Sequence, residues 1–164
     1  GLEPNGVPSG LHNTAIPFHF SDMDELKTKA KGIEKEIAAI IVEPARGEDA
    51  PKDYLVSLKA FAQNIGAVLI FDEMRSGFRV DLGGAQKKYN VTPDLATFGQ
   101  AMANGYSIAA LTGKREILEV YSKKAFISGT YFGNSLSMAA ALKTIEFSKL
   151  FMSIGQNTKL ISEL

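Results

Sequence analysis

Cysteine is missing from the chain, which excludes disulfides and thiolate-bound metals. Histidine occurs only at positions 12 and 19, too few for a multi-histidine metal centre, so no metal is expected. Charge of one sign is also lacking. Eighteen basic residues balance eighteen acidic ones, and no net field draws the chain to nucleic acid or to an anionic membrane. The longest apolar runs are about eight residues, well short of a bilayer span. No charged start leads into an apolar stretch as in a secretory signal, so a cytoplasmic location is the default expectation. The chain opens on Gly1 rather than on Met, which fits processing, tagging or truncation. What is present is 164 residues, 45% apolar and 22% charged, enough for one packed core.

The first fourteen residues are rich in Gly, Pro, Asn and Ser and read as a loop. A short strand is expected around Ile16 and Phe18. Ser21 is placed to cap a helix, with Asp24 in capping-box position and Met23, Leu26, Ala30 and Ile33 at helical spacing. Residues 37–42 form a continuous, β-branched run, the pattern of a strand buried on both faces, and Glu43 and Pro44 end it. Tyr54, Leu55, Leu58, Phe61, Ala62 and Ile65 predict an amphipathic helix stopped by Gly66. Residues 68–71 predict a second buried strand, 83–90 a short helix, 94–98 a third strand and 108–111 a fourth. Residues 114–121 read as a helix and 126–127 as a short strand. Asn134 or Ser135 then caps a long helix to about residue 150, and residues 151–164 either continue it or follow a break at Gly155.

Strands alternating with helices predict an α/β fold with a mostly parallel sheet. In such sheets ligands bind at the carboxyl ends of the strands. Glu43, Asp72, Glu73, Gly99 and Gln100 all fall there.

Asp72 raises the sharpest question, because a carboxylate that ends a core strand needs a cation or donors. It could cap the next turn or pair with Arg75 or Arg79. Four apolar residues followed by Asp-Glu also resemble the Walker B strand of an ATPase, whose carboxylates hold magnesium. That reading requires a G-x-x-x-x-G-K-[ST] loop, and the sequence contains none. A third reading is a pyridoxal phosphate site, where a fixed carboxylate keeps the ring nitrogen protonated and a lysine holds the aldehyde.

Four blocks carry a resemblance. They are IIVEPARGE (40–48), LIFDEMRSGFR (69–79), PDLATFGQAMANGYSIAALTGKREI (93–117) and SGTYFGNSLSMAAALKTIE (128–146). In this order they resemble class III aminotransferases, most closely the glutamate-1-semialdehyde aminomutases and their relatives. The resemblance covers about residues 10–150 and implies a fold-type-I architecture, pyridoxal 5'-phosphate as cofactor and a homodimer. It implies transfer of an amino group between a small-molecule amino donor and a carbonyl substrate. By the same resemblance Asp72 pairs with the pyridine nitrogen and Met74 packs on one ring face. Thr130 reaches the cofactor phosphate of the other subunit, and Gly129 lets the backbone approach. Glu43 and Glu48 border the pocket, and Arg79 serves structure nearby, pairing with Glu73.

The sequence departs from the family at one decisive place. Gln100 stands where the Schiff-base lysine belongs, and its flanks match on both sides. An amide is neither a nucleophile nor a proton shuttle, so the chain is expected to bind cofactor without useful turnover. The alternative is a non-catalytic pseudoenzyme or scaffold on the same fold. Family members are also considerably longer. Residues 1–150 thus resemble the central part of the large domain, and residues 151–164 the start of a connection to a small domain.

Overall fold

The computed structural model describes residues 5–11, 13–45, 50, 51 and 53–162, with side chains to residue 151. Its centre is a four-stranded sheet in the order β1-β2-β3-β4. The strands are β1 (Ala39–Val42), β2 (Val68–Glu73), β3 (Leu95–Phe98) and β4 (Ala110–Gly113). β1, β2 and β3 run parallel, and β4 is antiparallel to β3. The helices are α1 (Met23–Ala30), α2 (Tyr54–Ile65), α3 (Gly84–Lys88), α4 (Arg115–Lys124) and α5 (Ser135–Ser162).

α2 covers one face of the sheet. Its Leu58 and Ala62 are fully buried against Ile40, Val42, Leu69, Phe71 and Ala96, the residues that strand alternation sends to that side. Gly66 ends the helix at φ 79°, and its N–H returns to the last turn of α2. At the opposite end of the sheet from the candidate site, Asp94 pins the strand starts together. Its Oδ2 accepts the Leu69 N–H at 2.7 Å, and Lys114 Nζ lies 2.7 Å from Oδ1. Burial alone pushes the Asp94 carboxyl up. The Lys114 ammonium and the Leu69 N–H outweigh that and leave it below its ordinary value.

Several expectations need correction. Residues 16–18 form no strand. Phe18 and Phe20 instead pack as side chains against the core, with Phe20 edge-on to Tyr54 at 5.0 Å. The cap of α1 is Asp22 rather than Ser21, and it accepts the Glu25 N–H at 2.8 Å. β1 is buried on one face only. Ile40 and Val42 point into the core, while Ile41 is 58% exposed beside an open groove of about 880 Å³ lined also by Ile16, Phe18 and Ile37. The fourth strand begins two residues late, at Ala110, and Ile108 before it packs with Met102 and Ala103. Residues 126–127 are not a strand, and Phe126 is 95% exposed. Asn134 does cap α5, accepting the Ser137 N–H at 3.0 Å, and the helix runs through Gly155 without a break.

Candidate functional site

β2 ends in Asp72 and Glu73, and the period of two sends them opposite ways. Glu73 follows Leu69 and Phe71 into the core side. Asp72 faces the other side, half-buried, level with Thr97 on β3. Its Oδ1 accepts the Thr97 hydroxyl at 3.2 Å and the Met74 N–H at 3.0 Å. The second contact is a turn closed by the side chain two residues back, so the turn-capping reading of Asp72 holds. Neither Arg75 nor Arg79 pairs with it. Arg75 instead reaches Glu43 at the end of β1, at 3.5 Å. Among the described residues both hydrogen bonds to Asp72 land on Oδ1, which leaves Oδ2 open to a further donor.

Met74 brings the second strand end in. Its thioether lies where a side chain on Gly99 would start. A Cβ there would meet the Met74 Cε and come within 2.9 Å of its sulfur. Glycine leaves room for this contact, through which Met74 packs the tip of β2 against the tip of β3. Gln100 follows at once, exposed and at φ 36°, the left-handed region that a non-glycine residue enters only under constraint. It opens a 3₁₀ turn, Gln100–Ala103, whose Met102 and Ala103 are buried with Ala141 of α5. The aim of position 100 is thus set by its neighbours on both sides.

Glu73 is fully buried, with four donors around its carboxylate: the Ser76 hydroxyl (3.1 Å), the Ala85 N–H (2.5 Å), the Gln86 N–H (3.2 Å) and the Gln86 side-chain amide (3.1 Å). The expected pairing with Arg79 is not formed, since Arg79 is exposed and these donors occupy the carboxylate. Sequence reasoning missed this cluster. Its one signal was the polar residue placed in phase with Leu69 and Phe71.

The structure therefore gathers Asp72, Met74, Gly99 and Gln100 at the carboxyl ends of β2 and β3. Gly129 and Thr130 are not gathered there. They lie on the exposed segment between α4 and α5, and Gly129 has no atom within 4 Å of where its Cβ would be. Glu48 lies outside the described residues. No group of three or more metal-ligating side chains occurs among the described residues, and none of their helices is long and apolar enough to cross a membrane.

Comparison with known proteins gives this geometry a context. A family model described as aminotransferase class-III matches residues 13–162. The chain is 46% identical over 147 residues to the 3-aminobutyryl-CoA aminotransferase of Cloacimonas acidaminovorans, covering 86% of this chain and 36% of that protein. It is 40% identical over 148 residues to the glutamate-1-semialdehyde 2,1-aminomutase of Sulfolobus acidocaldarius, covering 87% and 35%. Among solved structures it superposes on an omega-transaminase from Sphaerobacter thermophilus with TM-score 0.79 and 28% identity, over 87% of this chain and 34% of that one. A transaminase with PLP bound gives TM-score 0.80 and 26% identity, over 87% and 36%. The chain spans about a third of the length of these relatives.

Proposed function

This chain belongs to the class III aminotransferase family, with the fold of the fold-type-I transaminases, and on that premise we propose that it forms the cofactor-facing centre of a pyridoxal-phosphate-dependent large domain. The activity of the whole protein is then transfer of an amino group between an amino donor and a carbonyl substrate. One observation carries the reading. Asp72, Met74 and the Gly99–Gln100 tip converge on the strand ends, with an open carboxylate oxygen and a thioether on the same ledge.

The residues fit the cofactor's ring and do not fit its aldehyde. Pyridoxal phosphate supplies an electron sink that works when its ring nitrogen is protonated. Asp72, with Oδ2 open, is the residue that would hold that proton, and the Thr97 and Met74 donors on Oδ1 keep the carboxylate from turning away. Met74 offers a polarizable flank. Gln100 has no amine, so it neither captures a carbonyl carbon nor carries a proton between atoms. This chain accordingly binds cofactor without turnover. Thr130, exposed beside Gly129, serves a second copy in a homodimer and reaches that copy's phosphate. Glu48 borders the pocket. Residues 1–150 constitute the partial large domain, residues 151–164 lead toward the small domain, and the protein works in the cytoplasm.

The test is equilibrium dialysis against pyridoxal phosphate, with the chain expressed in its native reading frame. The expected result is retention, weakened about tenfold or more by Asp72→Asn, since a tenfold loss corresponds to about 1.4 kcal/mol of a charged pair. Gln100→Lys adds a visible absorption band from covalently held cofactor. If neither form retains the ligand and Asp72→Asn changes nothing, the protein is a scaffold built on an aminotransferase fold.

A further inference from the structure

Glu73 is a buried carboxyl side chain, and among the described residues no lysine or arginine pairs with it. An apolar residue in phase with Leu69 and Phe71 would pack the same face without the cost of desolvating a carboxylate. What the carboxylate gains is four donors, and all of them come from the chain that leaves β2: Ser76, then Ala85 and Gln86 at the start of α3. Gly84 makes the closure possible. It sits at φ 71°, and any Cβ there would run into the Glu73 carboxylate. The Gly77 N–H closes the inside of the loop on the Glu73 carbonyl at 2.9 Å. Residues 74–86 are thereby tied at both ends to a single residue.

Met74 is the first residue of that loop. Its N–H donates to Asp72, and its thioether seats on Gly99. We propose that Glu73 is a positioning residue of the site: by locking the 74–86 loop from the core side, it holds Met74 against Gly99 and the Asp72 carboxylate at a fixed angle on the opposite face. The purpose of this device rests on the cofactor reading above, and its mechanics rest on the hydrogen bonds alone. The carboxylate accepts two donors on each oxygen. Glu73→Gln turns one oxygen into an amide NH₂, and in either orientation a backbone N–H then faces a donor.

Amide hydrogen exchange, followed residue by residue, tests this on the intact chain without cofactor, with urea unfolding measured in parallel. Glu73→Gln is expected to speed exchange of the Met74 amide about tenfold beyond the change at the core amide of Phe71, the mark of local rather than global opening. Leu58→Ala, a core substitution on the buried face of α2, lowers global stability while the Met74 and Phe71 amides respond in step. Ser76→Ala removes one donor, is expected to give the same selective pattern at smaller amplitude, and serves where Glu73→Gln does not fold. Exchange at Met74 and Phe71 changing in step in Glu73→Gln or Ser76→Ala overturns the proposal and leaves Glu73 a purely structural residue. Dialysis against pyridoxal phosphate separates the two readings. Selective loosening of Met74 in a chain that retains no cofactor sustains the lock and defeats the cofactor assignment.

Discussion

Gly66 and Gly84 share a left-handed backbone and differ in what surrounds them. A Cβ on Gly66 meets nothing within 4 Å, whereas one on Gly84 collides with the Glu73 carboxylate. Gly66→Ala is expected to cost about 1 kcal/mol, the conformational penalty alone. Gly84→Ala is expected to cost roughly 2–4 kcal/mol, since it adds the crowding and breaks buried hydrogen bonds. Urea unfolding of the two variants side by side reads the difference, and equal losses would show that Glu73 yields freely. At this scale the sequence was legible where a residue's type is itself the signal. Asp72 at a strand end announced a need for donors, and Gln100 stood out against intact flanks. Glu73 was not legible, because its partners Ala85 and Gln86 are backbone and amide groups twelve and thirteen positions away, and no pattern of residue types records where a loop returns.

Among the elements, α2 was the most readable. Six apolar residues at helical spacing and a terminal glycine led to Tyr54–Ile65 with its buried face as expected. Strands were harder. A run such as residues 37–42 shows that apolar surface exists without showing which face another element covers, and Ile41 is left exposed. β4 begins at Ala110 and runs antiparallel to β3, while Ile108 just before it packs on the Met102 cluster, and the apolar run alone marked neither the start nor the direction. What joins β2, β3 and the start of α4 is the Asp94 carboxylate with Leu69 and Lys114. Because the Asp94 carboxyl is lowered in the folded chain, its contribution is fully present above the unfolded carboxyl range. It is lost as acid titrates down through the folded value. Unfolding midpoints measured from pH 6 downward are expected to fall below about pH 4 in the native chain. Asp94→Asn is expected to start lower at pH 6 and to show a smaller fall, and identical pH slopes would remove Asp94 from the account.

The molecule as a whole leaves much apolar surface in water. Phe126, Tyr131, Phe132, Leu142, Phe147 and Phe151 are each more than half exposed along the segment from 126 to 151, and Ile41 adds another patch at the sheet edge. Surface of this kind drives association. Sedimentation is expected to show concentration-dependent complexes that Phe132→Glu with Leu142→Glu shifts toward single chains; an unchanged distribution would place the contact elsewhere. The family was legible in the four blocks because each sets several residue types in a fixed order and spacing, and four such blocks in register are far more specific than any one of them. The frame around position 100 also has a genetic consequence. Met74, Gly99 and the buried 3₁₀ turn flank the backbone there, and the glutamine residue itself is exposed. Codons for glutamine and lysine differ by one base, so on the proposed reading a single transversion separates this sequence from one that carries an amine at that position.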